Sequence, residues 1–131
     1  MAKALKKLTL LHSNDLHGDF LAEEVDHELV GGVSMLSGYI NKVRQEEKNV
    51  IYAIAGDMFR GSVIDSEYKG ISTIEIMNLL GPDIVTIGNH EIDYGVPHLL
   101  FIEIILMELI ADCAEIWIVV KNINLLMVLI A

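Results

Sequence analysis

The chain has one cysteine, Cys113, in 131 residues. It therefore cannot form an intrachain disulfide, and cysteine usage gives no sign of an oxidising compartment. The thiol is read as a small buried hydrophobe. Basic residues are also scarce: nine stand against nineteen acidic ones, for a formal charge of −10. The one basic cluster, Lys3, Lys6 and Lys7, has no interleaved aromatics, which excludes a nucleic-acid polymer as partner. Small anions stay admissible, because bound cations would set the local charge. A cleavable leader pattern is missing too. The apolar stretch after the lysines runs only from Leu8 to Leu11 and no small-residue cleavage site follows, so the expected location is cytoplasmic. Long uncharged runs are absent as well. The tail 99–131 is very apolar, but Glu103, Glu108, Asp112, Glu115 and Lys121 interrupt it before the roughly 18 to 20 residues of a membrane helix. No membrane partner is expected, and the tail is read as core-forming or prone to misfolding.

What is present is apolar and ordered. Hydrophobic residues make up 53% of the chain and the mean hydropathy is +0.47, which excludes global disorder. The length suits one domain, and no repeat or low-complexity linker divides it. Leu8 to Ser13 reads as a short buried strand, and residues 18–32, closing on Gly31-Gly32, as a long surface excursion. Leu36, Ile40 and Val43 repeat at helical spacing, with Lys42, Arg44, Glu46, Glu47 and Lys48 mostly on the solvent side, which predicts an amphipathic helix from Val33. Asn49 to Ala55 reads as a second strand. Ile71 to Leu80 reads as a helix closed by Gly81-Pro82, Asp83 to Ile87 as a third strand, and Pro97 opens a further helix. Strands alternating with helices predict an α/β layered fold with mostly parallel strands.

Each of the three strands runs into a polar cluster: Asp15-Leu16-His17, Gly56-Asp57 and Gly88-Asn89-His90-Glu91. Ligands of open α/β sheets bind at the carboxyl ends of the strands, so these clusters are expected to converge. Asp15 and His17 are two residues apart, which in an extended segment puts both on one face. An oxygen and an imidazole nitrogen suit Zn, Mn or Fe better than Ca. Asp57 offers two carboxylate oxygens, enough to bridge two cations, and Asn89 offers a neutral oxygen.

HSNDLHG, AGDMFRGS and TIGNHEIDYG resemble the motifs of the calcineurin-like metallophosphatases, and among them the bacterial 5′-nucleotidases. The resemblance covers roughly residues 8–103. It implies half of an αββα sandwich and a site of two divalent cations, with Asp15 and His17 on the first, Asp57 bridging and Asn89 on the second. It further implies that His90 contacts the phosphoryl group while Asp93 holds its imidazole, and that metal-bound hydroxide attacks phosphorus. The implied function is hydrolysis of nucleoside monophosphates or related phosphomonoesters. Relatives sharing the metal site act on 2′,3′-cyclic phosphates or nucleotide sugars, so those substrates stay open, as does an inert remnant holding one metal.

The family pattern continues with another histidine and a Gly-His-x-His element, whereas no histidine follows His98. Residues 1–131 are therefore read as a truncated amino-terminal portion of the catalytic domain, with one well-formed metal position and weak or no activity. Segment 99–131 diverges from the family. A missing second sheet would leave an apolar face inviting self-association. His12 is read as a core neighbour, His27 and His98 as solvated, Met35, Met58 and Met77 as packing, and Arg60 as either a phosphate contact or a surface residue.

Overall fold

A computed structural model describes residues 5–102 and the backbone of 116–120 and 126–130. In chain order it has β1 (Thr9–Ser13), β2 (Glu23–Val25), β3 (Glu28–Val30), α1 (Gly32–Glu46), β4 (Val50–Ile54), α2 (Val63–Tyr68), α3 (Ile71–Leu80) and β5 (Ile84–Ile87). A 3₁₀ turn (His90–Ile92) follows, then helical residues 96–102, β6 (Ile116–Val120) and β7 (Leu126–Ile130). The main sheet has the order β1-β4-β5-β7-β6. β1, β4 and β5 pair in parallel, with Ser13 opposite Ile54 and Ile54 opposite Val85, so their carboxyl ends share one edge. β7 joins β5 antiparallel.

The sequence explains most of these bounds. α3 is closed by Gly81, whose left-handed φ of 61° lets its N–H reach back to the Met77 and Asn78 carbonyls, the conformation glycine adopts most easily. Ile74, Met77 and Leu80 of α3 and Ile40 of α1 meet Tyr52 and Ile54 of β4, with Phe20, Met58, Phe59 and Ile102, in one core. Full burial of an Ile such as Ile54 stabilises by about 1.5–3 kcal/mol. The buried Tyr52 hydroxyl is within 2.8 Å of Ser13 Oγ, so its polar end is satisfied.

Several expectations change. The excursion 18–32 contains a two-stranded hairpin, β2–β3, and α2 is a helix the apolar pattern did not indicate. His12 is exposed, not a core neighbour: alternation along β1 turns Leu11 toward the core and leaves Leu10 and His12 on the opposite face. His98 is partly buried, and its ring Nε2 lies 2.6 Å from the Lys69 carbonyl. Met58 and Met77 pack in the core, but Met35 is exposed. The tail contributes β6 and β7 to the sheet, and the rest of 103–131, Cys113 included, lies outside the described residues. No helix among the described residues is long and apolar enough to cross a membrane.

Candidate metal and phosphoryl site

The parallel ladder brings the three motif loops side by side, and the backbone ties them. Asp15 N–H donates to the Gly56 carbonyl at 3.1 Å, and His17 N–H to the Asp57 carbonyl at 3.1 Å. His90 N–H donates to Asp57 Oδ1 at 3.0 Å. Asp15, His17, Asp57 and Arg60 all have φ between 49° and 66°, a left-handed conformation that costs a side-chain-bearing residue about 1–2 kcal/mol. Four such residues in two adjoining loops need a surrounding structure that holds them there.

Close packing between loops is also why glycine stands where it does. A Cβ on Gly88 would overlap the Asp57 carboxylate and come within 2.7 Å of Asp57 N, and one on Gly56 would lie 2.5 Å from Gly88 N. The loops carrying Asp57 and Asn89 therefore approach to a distance that only glycine permits.

His17 Nδ1 lies 3.1 Å from the Phe59 carbonyl and 3.0 Å from that of Arg60. Carbonyls only accept, so Nδ1 carries the proton, a tautomer assigned from its partners. Nε2 then presents a lone pair 3.8 Å from Asp15 Oδ1, too far for a hydrogen bond. Two electron-pair donors facing each other at that spacing fit neighbouring ligands of one cation, and the backbone-anchored imidazole is the usual arrangement of a ligating histidine. Asp57 uses Oδ1 toward His90 N–H, and its Oδ2 takes no hydrogen bond among the described residues. Asn89 is exposed, just before the 3₁₀ turn.

In kind, the donor set fits a divalent transition metal. In position it is incomplete: among the described residues, no three His, Cys, Asp or Glu side chains converge on one cation. The single well-formed metal position expected from the resemblance is therefore reduced to the Asp15–His17 pair with Asp57 alongside. The Asn14 amide donates to Asp15 Oδ2, and His90 N–H donates to Asp57 Oδ1.

His90 and His17 meet edge to face with ring centroids 4.9 Å apart. His90 Nδ1 is 2.8 Å from Asp93 Oδ2. That hydrogen bond holds the imidazole pKa above its ordinary value, with Asp57 and Glu91 adding smaller effects of the same sign. Asp93 also receives Arg60 Nε at 3.3 Å, and the Arg60 guanidinium lies 5.4 Å from the centre of the Tyr94 ring. Arg60 is thus fastened at the border of the site.

Two residues that the sequence reading did not single out organise these loops. Glu91 is buried and accepts backbone N–H groups from both the 57–59 and 88 segments. Asp65 is buried and accepts the Arg60 N–H at 2.7 Å. Ser62-x-x-Asp65 is a variant of the sequence pattern of a helix-capping box, and Ser62 Oγ does accept the Asp65 N–H at 3.1 Å. That signal was available. No comparable signal marks Glu91, which sits inside the third motif.

The profile of the calcineurin-like phosphoesterases matches residues 8–126. A mouse 5′-nucleotidase is 38% identical over 101 residues, covering 72% of this chain and 18% of that protein. The NAD nucleotidase of Haemophilus influenzae superposes with a TM-score of 0.65 at 28% identity, over 78% of this chain and 19% of that one. A 5′-nucleotidase precursor from Thermus thermophilus does so with a TM-score of 0.65 at 31% identity, over 72% and 20%. The chain thus spans about a fifth of the length of these relatives.

Proposed function

This chain belongs to the calcineurin-like phosphoesterase family, hydrolases that use divalent metals, and from that premise we propose that it carries the amino-terminal part of a nucleoside monophosphate phosphohydrolase site. The observation that carries the reading is the facing pair His17 Nε2 and Asp15 Oδ1 at 3.8 Å, beside Asp57 and on the edge where three parallel strands end. Asp15 and His17 would hold one cation, Asp57 would reach both, and Asn89 would meet the second. When bound, such cations, Mn, Zn or Fe by their preference for mixed oxygen and nitrogen ligands, polarise phosphoryl oxygens and acidify the attacking water.

The protein's own groups do the rest. His90, its protonated form favoured by Asp93, stands where it can stabilise charge growing on a phosphoryl oxygen. Arg60, fixed by Asp93 and Tyr94, keeps a second positive group at the rim. Among the described residues Asp57 and Asn89 are the donors that would meet a second cation, and weak turnover by this chain is part of the proposal.

Phosphate release from AMP with added Mn tests the reading. Low, Mn-dependent release is expected. Asp57→Ala abolishes it, His90→Ala lowers it by about 10²- to 10³-fold, and His27→Ala leaves it unchanged, His27 being on the exposed hairpin. Release that survives Asp57→Ala overturns the reading. A second reading, a fold that holds one metal without turnover, is favoured by the lack of any three-ligand group among the described residues. Mn uptake with no phosphate release would select it. Self-association is part of the proposal, supported by Leu8 and Leu10, each 60% exposed at the outward side of the β1 edge.

A further inference from the structure

Glu91 and Asp65 are 1% and 0% exposed, and both spend their oxygens within the fold. Glu91 Oε1 accepts from Met58 N at 2.6 Å and Phe59 N at 3.2 Å, while Oε2 accepts from Asp57 N at 2.9 Å and Gly88 N at 2.6 Å. Asp65 Oδ2 accepts from Arg60 N, and its Oδ1 accepts the Thr73 hydroxyl at 2.5 Å. Successive N–H groups in a turn with left-handed residues form a concavity of the kind that collects an outside anion. Here the N–H groups of 57, 58, 59 and 60 are all occupied from within by two buried carboxylates. The loop therefore does not offer these N–H groups to a phosphate. They serve to fix the direction in which Asp57 projects.

The two carboxylates differ in reach. Asp65 holds only the far end of the Asp57 loop. Glu91 holds that loop through three N–H groups and the Asn89 loop through a fourth, Gly88. We propose that Glu91 is a positioning residue that sets Asp57 against Asn89, so that donors carried by two strands face one space; this rests on the metal-site reading above. The glycine at 88 belongs to the same device, since any Cβ there would strike the Asp57 carboxylate. Asp65 is the internal control: equally buried and fastened to the same loop, it takes no N–H of the Asn89 loop and meets the third motif only through the Tyr94 hydroxyl at 3.5 Å.

The test uses the full chain as wild type, Glu91→Gln and Asp65→Asn, with Mn alone as probe. Mn affinity is measured by calorimetry where each protein is folded by circular dichroism, and amide exchange by nuclear magnetic resonance. A carboxamide keeps the volume of Glu91 but turns an NH₂ toward N–H donors that need an acceptor. In Glu91→Gln the amides of Asp57, Met58, Phe59 and Gly88 should shift together and lose protection, while Arg60 keeps its own. Mn affinity should fall about 10- to 100-fold, the usual cost of losing a partner outside the ligand shell. Asp65→Asn should move the Arg60 amide and lower stability, with Mn affinity within about twofold of wild type. Unchanged affinity in Glu91→Gln, or an equal loss in Asp65→Asn, overturns the proposal. If wild type takes up no Mn, the metal-site reading fails, and the joint or separate response of amides 57–59 and 88 still decides whether Glu91 ties the loops. If Glu91→Gln does not fold, the wild-type amides decide: slow exchange at all four supports the proposal, and fast exchange at Gly88 overturns it.

Discussion

The loop between Gly56 and Ser62 and the hairpin from Glu23 to Val30 are both short, acid-flanked connections, and they are held in opposite ways. In the first, each N–H from Asp57 to Arg60 ends on a buried carboxylate, and Met58 and Phe59 anchor it in the core. In the second, every strand residue is exposed, and the ladder pairs Glu23 with Val30 and Glu24 with Leu29. Both contain left-handed residues: Asp57 and Arg60 in one, Asp26 at 53° and His27 at 67° in the other. Positive φ therefore does not mark a site by itself. What separates the two is whether neighbouring groups over-determine the conformation. In the hairpin a two-residue turn merely adopts the geometry its strands require, whereas the site loop is clamped by Glu91, Asp65 and the core.

The comparison can be broken most forcefully at Gly88. Gly88→Ala should push the Asp57 and Asn89 loops apart and cost about 1–3 kcal/mol, as overpacking of a close contact does. Urea denaturation measures the loss, and a loss below about 0.5 kcal/mol would mean the loops are not tightly apposed. A smaller effect is expected of Thr73→Val, which removes the hydroxyl donor to Asp65 with little change of shape. It should cost about 1 kcal/mol and loosen the Arg60 amide, read by hydrogen exchange. The smallest effects belong to the hairpin. His27→Gly relieves a left-handed residue but adds chain entropy to the unfolded state, so stability should move by no more than about 0.5 kcal/mol. A loss near that of Gly88→Ala would show the hairpin to be as constrained as the site loop.

The strand ends that carry the site were legible in the sequence, for identifiable reasons. The strands before Asp15, Asp57 and Asn89 are short apolar runs stopped by polar or glycine punctuation, and α3 ends where Gly81 says it should. The parallel arrangement that brings the motifs together follows from strands alternating with helices. The hairpin was not legible, because its three-residue strands are rich in glutamate and its turn is Asp26-His27, without the glycine that usually signals such a turn. α2 was missed because six residues are too few for a helical period to show. Glu91 was missed because nothing local makes a glutamate buried. Its four partners come from segments up to 34 residues away, and only the assembled sheet edge creates the cup it fills. His12 was misplaced because apolar neighbours in a strand do not tell which face the helices cover.

The central claim is that the three strand-end loops form a cation site through Asp15 and His17, and Mn titration of the intact chain by calorimetry tests it most directly. The account predicts one Mn bound much more tightly than any second, with affinity reduced at least about tenfold by Asp15→Ala and unchanged by His27→Ala. Two equally tight sites, or binding indifferent to Asp15→Ala, would contradict it.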